Sequence, residues 1–156
     1  LVVMALYLFS EKVSDINIIT YGWNEIPALP FKCHNLGTLP PEDLAELYSA
    51  CDICIAPSAS NLSLVAREVM ACGCVLMDLD VDNTSHDLKH LDNSYLVKPD
   101  PNSMYEGLLE LYNNRKLLGN LKQSSLKHIS QLDDWETQGS RFYELVKNRV
   151  LNTKNN

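Results

Sequence analysis

The run Pro57-Ser-Ala-Ser-Asn-Leu-Ser-Leu-Val-Ala-Arg-Glu68 gathers Ser58, Ser60, Asn61 and Ser63 just ahead of an apolar-periodic stretch. Small polar side chains accept hydrogen bonds from the first N–H groups of a helix, so Ser60 or Asn61 is the expected N-cap. The backbone N–H groups of Ser63, Leu64 and Val65 would then lie free at the positive end of the helix dipole. Such an end suits a phosphate or pyrophosphate. The same residue types also make an ordinary capped helix after a loop. Glu68 falls about two turns into that helix, among Val65, Val69 and Ala71. Its two carboxylate oxygens can accept two vicinal hydroxyls of a sugar. The plain alternative is an exposed residue paired with Arg67 or with solvent.

Other constellations carry less chemistry. Asp78-x-Asp80-x-Asp82-Asn83 has the alternating acids of a cation loop. It lacks the glycine and the distal glutamate at the offsets a calcium loop needs, so no metal is expected there. Cys51-x-x-Cys54 and Cys72-x-Cys74 invite a zinc reading. The second pair is too tight for a zinc ribbon and both lie in apolar periodic segments, so buried structural thiols are expected. With Cys33 there are five cysteines, an odd number that fits a reduced, cytoplasmic chain. His34, His86, His90 and His128 have no mutual spacing that suggests a triad or a metal cage. Asn61-x-Ser63 and Asn83-x-Ser85 are formal glycosylation acceptors without a secretory signal beside them.

The elements that must position these residues follow from composition and pattern. The chain has 156 residues, 46% of them apolar and 21% charged, which suits one globular domain or half of a two-domain protein. Thirteen basic residues stand against 20 acidic ones, a formal charge of -7. That balance argues against nucleic acid as a partner, because phosphate neutralisation needs a basic surface. No apolar run reaches the roughly 18 residues of a membrane span. Leu1 enters an apolar segment at once, and the chain is read as opening part-way through an element.

Leu1–Lys12 reads as helix, and the β-branched run Asp15–Tyr21 as a strand closing on Gly22. Phe31–Leu36 is a short strand ending at Gly37. Pro40-Pro41-Glu42-Asp43 opens a helix, with proline and acids in its first turn. Asp52–Ala56 is a short buried strand, Leu62–Ala71 a helix stopped by Gly73, and Cys74–Met77 a strand. Asp78–Asn93 reads as polar loop with one helical turn, and Tyr95–Val97 as a strand. Pro101–Tyr112, Arg115–Ser130 and Asp134–Leu151 read as helices, with Asn152–Asn156 a disordered tail. Short apolar strands alternating with helices predict an α/β fold, a doubly wound parallel sheet covered on both faces. Ligands of such sheets sit beyond the carboxyl ends of the strands. That places the chemistry at Tyr21-Gly22, Gly37–Leu39, Pro57–Asn61 and Asp78–Asn83.

Several runs together resemble the donor-binding half of GT-B glycosyltransferases of the family 4 type. They are Leu36-Gly37-Thr38-Leu39-Pro40-Pro41-Glu42-Asp43 with Leu47-Tyr48, Ala50-Cys51-Asp52, Pro57-Ser58, and Glu68-Val69-Met70-Ala71-Cys72-Gly73. The variant Ser60-Asn61-x-Ser63-Leu64-Val65 looks closest to bacterial rhamnosyltransferases of surface polysaccharide synthesis. The resemblance covers residues 16–150. It implies a Rossmann-like C-terminal half of a GT-B fold over residues 1–151, with 135–151 crossing to an N-terminal domain that binds the saccharide acceptor. It implies that the first strand of this half, with a basic residue after it, lies outside the chain. By position, Glu68 matches the glutamate that holds the donor's ribose. Ser60, Asn61, Ser63, Leu64 and Val65 match the segment meeting the donor sugar and its diphosphate. Leu39 matches the nucleobase loop and Gly22 the glycine at a strand end where backbone approaches the donor.

The resemblance therefore implies transfer of a hexose, rhamnose in particular, from a nucleotide-diphosphate donor with retention, no cofactor and no metal. This chain alone would be inactive, cytoplasmic or held at the inner face of the membrane through the other domain. Where many relatives carry an acid about seven residues before the ribose glutamate, Ser60-Asn61 stands here. That departure favours the alternative, a non-catalytic nucleotide- or sugar-binding regulatory module of the same fold. A dinucleotide-binding domain is disfavoured because no G-x-G-x-x-G follows a strand. A receiver domain is disfavoured for want of an acidic cluster at its first strand. Trp135, Phe142, Leu145, Val146 and Val150 recur near helical spacing, and their exposure would promote self-association.

Overall fold

The computed structural model describes residues 1–60, 63–81 and 84–153, with side chains through residue 149. Its helices are α1 (Val2–Lys12), α2 (Pro41–Ala50), α3 (Leu64–Ala71), α4 (Pro101–Asn113), α5 (Arg115–Ser130) and α6 (Trp135–Thr153). Its strands are β1 (Ile19–Thr20), β2 (His34–Asn35), β3 (Ile53–Ile55), β4 (Val75–Leu79) and β5 (Tyr95–Val97). The expected order of elements is present; β1, β2 and β3 are shorter than expected, and β4 runs two residues further, to Leu79. The tail reading is corrected at its start: Asn152 and Thr153 continue α6, and residues 154–156 lie outside the described residues.

All strand pairs are parallel. β1 pairs with β2, and β3, β4 and β5 form a second sheet in that order. β4 is central and buried along its whole length, as a strand covered on both faces must be. Alternation sends Val75, Met77 and Leu79 to one face and Leu76 and Asp78 to the other. The first face packs on Ala5 and Phe9 of α1, Met104, Leu108 and Leu111 of α4, and Leu118 and Leu121 of α5. The second packs on Tyr48 of α2 and Ala66, Val69 and Met70 of α3. Asp100 caps α4 by accepting from the N–H groups of Asn102 and Ser103.

The two sheets do not pair with each other among the described residues. Between the edge of β1 and the edge of β3 runs a cleft of about 1320 Å³. It follows both strands lengthwise, along residues 15–21 and 50–58. Val2, Leu6 and Phe9 of α1 and Leu47 and Tyr48 of α2 also line it. Ile18 and Thr20 give their carbonyls to β2, so parallel alternation turns the peptide groups of Ile19 and Tyr21 the other way. Asp52 and Ala56 bond β4 in the same fashion, which turns Ile53 and Ile55 away from it. The cleft therefore has strand edges on both sides and apolar helix faces above and below.

Helix and sheet approach closely at Gly107 of α4. A Cβ there would stand 2.6 Å from Tyr95 Cε1 and 3.2 Å from both Met77 Cε and Val97 Cγ1. The Tyr95 ring cannot swing freely, because its hydroxyl donates to Glu110 Oε2 at 2.5 Å. Gly119 of α5 has nothing within 4 Å of such a Cβ. Alanine in a helix interior gains about 1 kcal/mol over glycine, while overpacking a core costs about 1–3 kcal/mol. Thermal melts should therefore separate the two positions by sign: Gly107→Ala melts lower than the parent and Gly119→Ala higher. A rise for both would mean that the helix can lift off the sheet at no cost.

Candidate functional site

The strand exits are built from specific side chains. After β1 and β2 the chain turns at Gly22 (φ +94°) and Gly37 (φ +65°). Gly22 donates its N–H to the Gly37 carbonyl at 2.7 Å. A side chain at Gly37 would meet Asn24 Oδ1 at 2.7 Å, and that oxygen accepts the Thr38 N–H. Asn35 ties the same loops, accepting from Thr20 Oγ1 and Gly37 N and donating to the carbonyls of Trp23 and Asn24. Leu39 follows, half-buried ahead of α2.

At the exit of β3 the N-cap of α3 is Ser63, whose Oγ accepts the Val65 N–H at 3.2 Å. This corrects the expectation of Ser60 or Asn61, and α3 starts at Leu64 rather than Leu62. The Val65 N–H is therefore not free for an anion, and Ala66 N bonds the Ser63 carbonyl. The anion site expected from three N–H groups is reduced to those ahead of Val65. Ser60 is exposed and Leu64 is exposed at the surface of α3, while Asn61 and Leu62 lie outside the described residues. Ser63 and Val65 line the cleft with Ser58 and Tyr21. Glu68, Leu64, Ser60, Leu39 and Gly22 are not among its lining residues.

Glu68 is exposed, and its carboxylate forms no hydrogen bond or ion pair among the described residues. Its neighbour Arg67 is engaged elsewhere, with Asp87 Oδ2 at 3.1 Å, and His128 Nε2 meets Asp87 Oδ1 at 3.2 Å. Pairing with Arg67 is thus excluded for Glu68, and its carboxylate faces solvent. It is close enough to α2 for its charge to raise the Tyr48 hydroxyl pKa, to which burial contributes most. Tyr48 and Tyr21 share a hydroxyl hydrogen bond at 3.1 Å. Burial chiefly, with that bond, pushes Tyr21 far above its ordinary range.

Asp78 is the residue that sequence reasoning misplaced. It belongs to β4, not to the following loop, and is 1% exposed. Its Oδ1 accepts the N–H groups of Ser58 and Leu79, each at 2.7 Å. Burial raises its carboxyl above the ordinary range, and the two N–H bonds pull it partly back. Turned inward, this carboxylate cannot serve a loop-bound cation with Asp80. Asp82 and Asn83 lie outside the described residues. No group of three His, Cys, Asp or Glu among the described residues could hold a metal ion. The cysteines are free thiols, with Cys74 buried and the others half-buried. Burial pushes Cys54 up to about 11 and Cys74 higher, so neither is a reactive thiolate.

Residues 5–114 match the family described as "Glycosyl transferases group 1". The chain belongs to this family. A curated relative, the O-antigen biosynthesis protein RfbC of Myxococcus xanthus, is 29% identical over 120 residues, 76% of this chain and 9% of that protein. Sucrose-phosphate synthase from Thermosynechococcus elongatus superposes with a TM-score of 0.81 at 18% identity, over 96% of this chain and 42% of that one. Anabaena HepE in complex with UDP-glucose gives 0.79 at 16% identity, over 94% of this chain and 44% of that one. The fold is that of GT-B glycosyltransferases. The chain spans less than half the length of these proteins. No described helix is long and apolar enough to cross a membrane.

Proposed function

We propose that this chain is the nucleotide-sugar-binding half of a glycosyltransferase. It serves transfer of a hexose, rhamnose in particular, from a nucleotide diphosphate to a saccharide, with retention of configuration and without a metal. The observation that supports this best is Glu68: an exposed carboxylate on α3, without a partner among the described residues. A group that stabilises nothing in its own fold is free to accept hydroxyls from a ligand. The HepE complex holds UDP-glucose in a protein of the same fold, which supports the donor class. Ser60, Asn61, Ser63, Leu64 and Val65 are assigned to the donor sugar and diphosphate. Leu39 is assigned to the base, and Gly22 to close backbone approach.

The acceptor belongs to another domain. The exposed apolar residues of α6, Trp135, Phe142, Leu145 and Val146, are read as the face that docks there or on a second copy. This chain alone is accordingly inactive and cytoplasmic, reaching a membrane face only through that domain. We assign the cleft between β1 and β3 to one further parallel strand joined to the N-terminal end of α1.

Titration of the 156-residue chain with UDP and UDP-glucose, followed by backbone amide shifts, tests the donor assignment. Saturable shifts at residues 58–68 and at Leu39 are the expected result. Shifts absent at both places up to millimolar ligand would overturn it. A panel that includes a rhamnose donor then decides the sugar.

A further inference from the structure

Asp78 has no role in the reading above, and only one of its two carboxylate oxygens is used by the described fold. Its Oδ2 is fully buried and has no hydrogen-bond partner among the described residues. A buried acceptor left open is a cost to the fold. What the carboxylate does make is a short bond to the Ser58 N–H, across from β4 to the residue that opens the β3–α3 connection. The Leu79 N–H, at the same distance on the same oxygen, fixes the rotamer from the other side. Asp78 lies on the sheet face that carries α3, at the carboxyl end of its strand. Beyond Asp78 the chain is pinned again, since buried Thr84 donates its hydroxyl to the Leu79 carbonyl at 2.8 Å. The floor beneath the β3 exit is thus held by hydrogen bonds, and the Ser58 N–H is tied to it through Asp78 Oδ1.

We propose that Asp78 is a positioning residue: its Oδ1 fixes the backbone of Ser58 and through it the direction in which the chain leaves β3 toward Ser63 and α3. The function of that exit as a nucleotide-sugar site is the reading given above, and the proposal rests on it for its ligand effect only. The attachment of Ser58 stands on geometry alone. Two substitutions separate positioning from mere packing. Asp78→Asn keeps an acceptor oxygen for Ser58 and Leu79, whereas Asp78→Leu keeps volume and burial but accepts nothing.

The test measures amide hydrogen exchange at Ser58, thermal melting, and affinity for UDP, all in the 156-residue chain. For Asp78→Leu the expected result is at least tenfold faster exchange at Ser58, a melting temperature below the parent's because the Ser58 and Leu79 N–H groups lose their acceptor, and at least tenfold weaker binding of UDP. Asp78→Asn should stay within about twofold of the parent in exchange at Ser58 and in UDP affinity. Unchanged Ser58 exchange and unchanged UDP affinity in folded Asp78→Leu would overturn the proposal. If Asp78→Leu does not fold, exchange at Ser58 in the parent decides: an amide as fast as an exposed loop residue overturns it. Should the parent itself fail to bind UDP, the nucleotide-site reading fails. Ser58 exchange in Asp78→Leu still judges the positioning.

Discussion

A Glu68→Ala variant is expected to lose at least tenfold in affinity for UDP-glucose while melting at or slightly above the parent temperature. The two halves of this expectation have separate causes. In the fold the carboxylate is exposed and touches no donor among the described residues, so its removal breaks nothing. Alanine is the better helix former by a few tenths of a kcal/mol. In a complex, hydrogen bonds from ribose hydroxyls to a charged acceptor contribute about 1.5–3 kcal/mol, and about 1.4 kcal/mol corresponds to tenfold in affinity. Calorimetric titration beside a thermal melt reads both quantities. Equal affinity in the two proteins would remove Glu68 from the site. A large drop in melting temperature would mean that it has a structural partner after all.

How far the sequence could be read differs from element to element for physical reasons. The helices were legible because their faces repeat at 3.6 residues and their ends carry chemistry: prolines open α2 and α4. The alternating order of strands and helices was enough for a parallel, doubly covered sheet. The register of β4 was less accessible. Aspartate is mostly exposed, so Asp78 read as the first residue of a loop. The signal was the apolar run of Cys74–Met77 resuming at Leu79, which makes Asp78 one inward position of a longer strand. The N-cap could not be fixed from residue type, since Ser60, Asn61 and Ser63 are all competent caps. The structure gives the role to Ser63, whose Oγ accepts the Val65 N–H. The β-branched run Asp15–Tyr21 was longer than the strand it forms. Such residues report fitness for a buried pleated surface, whereas a ladder requires a partner. Residues 15–17 instead line the cleft beside β1.

That cleft gives the second large effect. Joining an extended apolar segment of five residues, the length of β4, through a short loop to the N-terminal end of α1 should close the cleft. Exchange at the amides of Ile19, Tyr21, Ile53 and Ile55 should slow by about a hundredfold. These groups face the cleft from both sheets and gain partners together. A net hydrogen bond is worth about 1 kcal/mol, and a hundredfold change in protection corresponds to about 2.7 kcal/mol. The direction of entry is fixed by handedness. A strand, a covering helix and a parallel neighbouring strand connect right-handedly in nearly all proteins. Since α1 already covers the cleft and leads into β1, a strand ahead of α1 runs parallel to β1 and β3. A control segment with proline at its second and third positions loses a donor toward each edge and is disfavoured as a central strand; it should leave all four amides fast. If the apolar segment protects them only in a dimer, shown by light scattering, the strand is exchanged between copies and the assignment to a single chain fails. If it protects none of them, the cleft is not a strand site.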